Sequence, residues 1–208
     1  TTESSVLSKH ASTSARINAV TSIRTLLKDE DVRSISRRYF ISNGFDGTLT
    51  AIGVVVGAYL SGVTDGITVV MIGLGAAIGL GTSGVWSVWE IERAEKRAEL
   101  HRIERAMLTD LDATRVQREQ RGARVIHATA SGLGPLIGIL VPLVPFLVEG
   151  TTLTMFEATL ASVATAVGVL FAFGAYLSGG SDRRWYVAGI RMGAAGVFVA
   201  LLNVVLPG

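Results

Sequence analysis

No cysteine occurs anywhere in the 208 residues. That excludes disulfides, thiolate zinc sites and thiol redox chemistry, and it leaves any bound metal to oxygen, imidazole or thioether donors. Hard or borderline divalent ions fit that restriction. Also missing are a glycine-rich nucleotide loop, a hydrolase triad and a zinc-protease pattern, so neither an ATP-driven pump nor an enzyme is expected. No tightly bound cofactor and no nucleic-acid partner are expected either. The first residues, Thr1-Thr2-Glu3, are polar and carry no apolar run of the secretory type, so no cleaved leader is expected. Charge is missing from long stretches: several segments of spanning length hold none or one of the 36 Asp, Glu, Lys and Arg residues.

What fills those segments is apolar. Hydrophobic residues make up 49% of the chain and glycine supplies 24 positions, the pattern of a lipid-embedded protein. Stretches of spanning length fall at about Phe40–Leu60, Ile67–Trp89, Val125–Val148, Leu153–Leu177 and Trp185–Leu206. The expected fold is therefore an all-α membrane protein of five transmembrane helices, with a long cytosolic helical extension between the second and third. Four regions follow: a cytosolic N-terminal segment over 1–36, spans one and two over 37–89, a charged cytosolic helix over 90–124, and spans three to five over 125–208.

Lys and Arg number seven before the first span, nine in Glu90–Arg124, and three at Arg183, Arg184 and Arg191, which accounts for all nineteen. With five spans these segments share one side, and the positive-inside rule makes that side the cytosol. The N-terminus is then cytosolic and the C-terminus outside or lumenal, in an integral multi-pass protein assigned to the cell membrane. Ile17, Val20, Ile23 and Leu27 recur at helical spacing among Arg16, Arg24 and Lys28, which suits an amphipathic helix lying on anionic lipid.

Glycines recur four apart at Gly53/Gly57, Gly75/Gly79, Gly134/Gly138 and Gly189/Gly193, each pair predicting a close helix approach. The hexapeptide Gly57-Ala58-Tyr59-Leu60-Ser61-Gly62 recurs as Gly174–Gly179 and ends spans one and four, an inverted repeat or a coincidence of composition. Pro135, Pro142 and Pro145 sit inside the third span, where each removes a backbone bond.

Asp46 is the one acid in the apolar part of a span, about 9 Å inside the first. Its neighbours Asn43, Thr48 and Thr50 bear oxygens that can admit water and coordinate a hard ion, so Asp46, Asn43 and Thr50 are the candidate transport pathway. Past the second span, Glu92, Glu95 and Glu99 share a helical face and Glu104 lies near the opposite one. These carboxylates can gather metal, or they can be a solvated face paired with Arg93, Lys96, Arg97, Arg102 and Arg105.

Further along, Gly138-Ile139-Leu140-Val141-Pro142-Leu143-Val144-Pro145-Phe146 resembles the third-span signature of the vacuolar iron transporter family. Gly174–Gly180, Gly189-Ile190-Arg191-Met192, Asp46-Gly47 and Ala98-Glu99-Leu100 are similar to that family too. The likeness covers residues 37–208. It departs at Phe45, where the family has Asn, and at Gly81 and Val85, where it has Met and Glu; the cytosolic segment is also shorter. The resemblance implies a homodimer in a lipid membrane that exports Fe²⁺ or Mn²⁺ from the cytosol in exchange for protons. It further implies Asp46 as a pathway ligand and Glu99 as a capture ligand, with Glu92, Glu95 and Glu104 beside it. The competing expectation is a non-transporting membrane protein whose charged helix docks a cytosolic partner.

Overall fold

A computed structural model describes residues 29–107, 115–178 and 184–206. Among these, five helices follow one another: α1 (Glu30–Leu60), α2 (Gly66–Met107), α3 (Arg115–Leu143), α4 (Met155–Leu177) and α5 (Trp185–Val205), with a short 3₁₀ segment, Val144–Val148, closing the third span. The described residues contain no strand beyond one isolated bridge between Glu149 and Leu153. All five helices carry windows long and apolar enough to cross a membrane. Their outward faces expose Met71, Ile78, Trp86, Phe198 and Leu201, side chains that lipid accepts and water does not.

Local sequence sets the boundaries. Asp29 caps α1 by accepting from the amides of Asp31 and Val32, and Glu30 and Asp31 complement the helix dipole. The helix therefore starts ten residues before the apolar stretch that predicted the span. Asp65 Oδ2 accepts from both the amide and the hydroxyl of Thr68 at the start of α2. Thr154 and Glu157 form a reciprocal capping box on α4. The two copies of the hexapeptide end their helices alike, the amide of Ser61 donating to the Gly57 carbonyl and that of Ser178 to the Gly174 carbonyl.

α2 runs unbroken through 42 residues, about 63 Å and twice a hydrocarbon core. Residues from Arg115 onward belong to α3, so the charged helix that the sequence predicts over 90–124 is divided between two elements. Pro135 is accommodated inside α3, whereas Pro142 and Pro145 straddle the change from α-helix to 3₁₀ geometry. The amphipathic segment around Ile17–Lys28 lies outside the described residues.

Packing is closest where glycine removes the side chain. A Cβ on Gly47 would stand 2.6 Å from Pro135 Cα, and one on Gly138 would stand 2.5 Å from the Gly44 carbonyl. The order of these contacts makes α1 and α3 parallel. Gly84 against Ser131 and Gly81 against Gly132 make α2 and α3 antiparallel, and Gly174 and Gly189 bring α4 and α5 together in the same sense. Gly57, Gly75 and Gly79 meet nothing within 4 Å, and Gly53 meets only Asn203 Oδ1 at 3.8 Å. Two of the four glycine pairs thus serve packing within the chain, and two face open space.

Two apolar clusters fill the remainder. Ala51, Val55, Val69, Ile139 and Phe146 join α1, α2 and α3. Ile52, Val56, Ala166 and Leu170, with Phe45, Met192 and Val199 around them, join α1 to α4 and α5.

Candidate functional site

Asp46 lies on a stripe of α1 that the other described residues leave uncovered. It is exposed, as is Ser42 one turn earlier, and the stripe continues through Thr50 to Gly53 and Gly57. The Thr50 hydroxyl donates to the backbone carbonyl of Asp46, and the Asn43 amide donates to the Tyr39 carbonyl. Both side chains thereby spend a donor on a local backbone bond, and among the described residues the Asp46 carboxylate has no hydrogen-bond or ion-pair partner. An ionised carboxylate at that depth costs about 2.5–3.5 kcal/mol or more if it faces hydrocarbon. It needs water, a cation or a second protein surface.

Below Asp46, toward the start of α1, the stripe becomes the floor of a cavity of about 790 Å³. Arg38, Ser42 and Phe45 form the floor, Glu92 and Glu95 of α2 one wall, and Leu177 and Met192 the other. A larger groove of about 1110 Å³ opens on another side of α1, with Glu30, Arg33 and Arg37 at its rim. It contains none of the predicted site residues.

The four cytosolic carboxylates are not equivalent. Glu92 is only 5% exposed, although nothing in the sequence distinguishes it from its neighbours. Its Oε1 sits 3.0 Å from His127 Nδ1 of α3 and accepts from the Tyr39 hydroxyl of α1 at 3.3 Å. The Tyr39 and His127 rings lie 6.0 Å apart. His127 itself is 3% exposed, and its Nε2 is buried without a partner. Glu95 is exposed. Glu99 is exposed and paired with Lys96 at 2.8 Å, beside a second pair of Glu90 with Arg93; such pairs contribute only about 0.3–0.5 kcal/mol each. The side chain of Glu104 lies outside the described residues. Among the described residues no three of His, Asp and Glu converge as a closed metal site.

His127 and Tyr39 are the residues that sequence reasoning missed. A lone imidazole just inside an apolar span was a readable signal, but its partner lies 35 residues away on another helix, beyond the reach of any spacing rule.

The profile of the VIT family matches residues 88–206, more than half of the chain, from the late part of α2 to the end of α5. An uncharacterized protein of Methanocaldococcus jannaschii is 27% identical over 168 residues, covering 79% of this chain and 85% of its own length. No solved structure matches the chain. With that match and five helices of spanning length, the chain is an integral membrane protein that belongs to the VIT family, the vacuolar iron transporters.

Proposed function

We propose that the chain exports divalent metal ions, Fe²⁺ or Mn²⁺, from the cytosol in exchange for protons, working as a homodimer. Family membership points to metal-ion transport across a membrane; the direction, the ion and the coupling are the proposal. The observation that carries it is the open stripe of α1, on which an unpaired Asp46 stands above a cavity walled by Glu92 and Glu95. A cation gathered by the carboxylates meets Asp46 next along one helix face, and protonation of Asp46 can later release it. Among the described residues Arg33, Arg37 and Arg38 of α1, Arg93, Lys96 and Arg97 of α2, Arg124 of α3 and Arg184 before α5 lie toward the cavity end, and the positive-inside rule supports a cytosolic assignment of that end. The far part of α2 and the start of α3 then form the reduced cytosolic region.

The homodimer is supported by the same stripe. Gly53 and Gly57 leave room for a second backbone that the described residues do not supply, and a second copy there would cover Asp46 from lipid. Disulfide crosslinking through Gly53→Cys or Gly57→Cys in native membranes should trap a dimer. Absence of a crosslink at both positions would remove the dimer from the reading.

The deciding experiment is uptake into proteoliposomes of Fe²⁺, Mn²⁺, Co²⁺ and Zn²⁺ under an imposed pH gradient. Asp46→Asn keeps size and one oxygen but removes the titratable charge, and it should abolish pH-driven transport while the protein still folds. Alanine at Glu95 and Glu99 should raise the metal concentration for half-maximal rate, with less effect on the maximum. Transport by Asp46→Asn at the parent rate would remove Asp46 from the mechanism, whereas no transport by the parent protein would favour the non-transporting docking platform.

A further inference from the structure

The bonds around Glu92 are a poor device for stability. A buried carboxylate and a buried imidazole face each other, and the second ring nitrogen, His127 Nε2, has no partner. An unsatisfied buried polar atom works against folding, and apolar residues of similar size would hold three helices together without that cost. What the arrangement does achieve is orientation. With Glu92 ionised, Nδ1 of His127 carries the proton and donates, and the Tyr39 hydroxyl donates to the same oxygen. Both bonds fall on Oε1. Among the described residues Oε2 has no hydrogen-bond partner, and it belongs to a side chain that lines the cavity and keeps 7% of its surface exposed.

We propose that His127 and Tyr39 are positioning residues that turn Glu92 into a fixed ligand of a divalent-cation site in this cavity, with Oε2 as the coordinating atom and Glu95 and Met192 on the surrounding walls. This deepens the transport reading, resting on the cavity as the cation's cytosolic approach, and it separates Glu92 from the solvent-paired Glu99. Donors behind a carboxylate ligand hold it in place and deny it other rotamers, and losing them typically weakens metal affinity 10–100-fold.

The test is equilibrium binding of Mn²⁺ to the full chain in detergent, reading free Mn²⁺ by electron paramagnetic resonance. It is made in an Asp46→Asn background so that the first-span carboxylate contributes nothing. Glu92→Gln should weaken binding at least tenfold. His127→Leu should weaken it about tenfold, while His127→Asn, whose amide can donate from the Nδ1 position, should recover most of the loss. Adding His127→Leu to Glu92→Gln should cost nothing further, because the imidazole acts through the carboxylate. Equal affinity in the Asp46→Asn parent and Glu92→Gln overturns the proposal, as does an unchanged His127→Leu effect in the Glu92→Gln background. If His127→Leu does not fold, Tyr39→Phe carries the test: it keeps the ring and removes one donor, and parental affinity would overturn the role of Tyr39. No gradient is involved, so failed transport with the Mn²⁺ site intact counts against the transport reading alone.

Discussion

At Gly47 one added methyl group would stand 2.6 Å from Pro135 Cα, a separation that backbone atoms cannot relieve without parting two helices. Gly47→Ala and Gly138→Ala should therefore destabilise the protein by about 1–3 kcal/mol or more. Gly75→Ala and Gly79→Ala, which meet open space, should not. Thermal unfolding in detergent distinguishes the two groups, and equal transitions would contradict the packing described. The sequence alone announced all four pairs in the same terms, because spacing reports that a face is small and not whether anything lies against it. The same limit hid the difference between Glu92 and Glu95: both sit on one predicted face, but only Glu92 meets His127 and Tyr39 across the helix seams. Asp46 was legible because an acid inside an apolar run stands out against its own neighbours.

The start of α2 shows how a cap titrates. Thr68, through its hydroxyl and its amide, holds the Asp65 carboxyl below its ordinary range. A depressed folded pKa stabilises the fold at pH values above the unfolded one, about 3.9, and that contribution fades as pH falls through the folded value. Asp65→Ala should lower the unfolding temperature at neutral pH and make no difference once both states are protonated, as a pH series of melting curves would record. Helix positions were readable because twenty-residue apolar runs leave little choice of structure in lipid. Helix ends were less so. Polar turns such as Asp29–Ser36 extend α1 beyond its apolar run, and capping requires an atom-to-atom match that composition does not contain.

Seen whole, the helices alternate in direction, with α1, α3 and α5 starting from the end that bears the cavity. The chain lacks native cysteine, so a single introduced thiol reports its own position. With the cavity end cytosolic, Thr64→Cys should react with an impermeant maleimide in intact cells, whereas Ala98→Cys should react only after lysis; the reverse pattern would invert the orientation.

The glycine contacts also divide the molecule mechanically. Where Gly44 and Gly47 lie on Gly134, Pro135 and Gly138, and where Gly174 lies on Ala188, backbone meets backbone with no compliant layer of side chains between. α1 and α2 are thus each joined to α3 by backbone-close contacts, and α4 to α5 likewise. The seam between these two groups is filled by longer side chains, Phe45, Ile52, Leu170 and Met192, which can change rotamer and slide. Tyr39, Glu92 and His127 all ride on the first group, whereas Met192 and Leu177 ride on the second. A small shear along that seam would change the width of the cavity and leave the bonds to Glu92 intact.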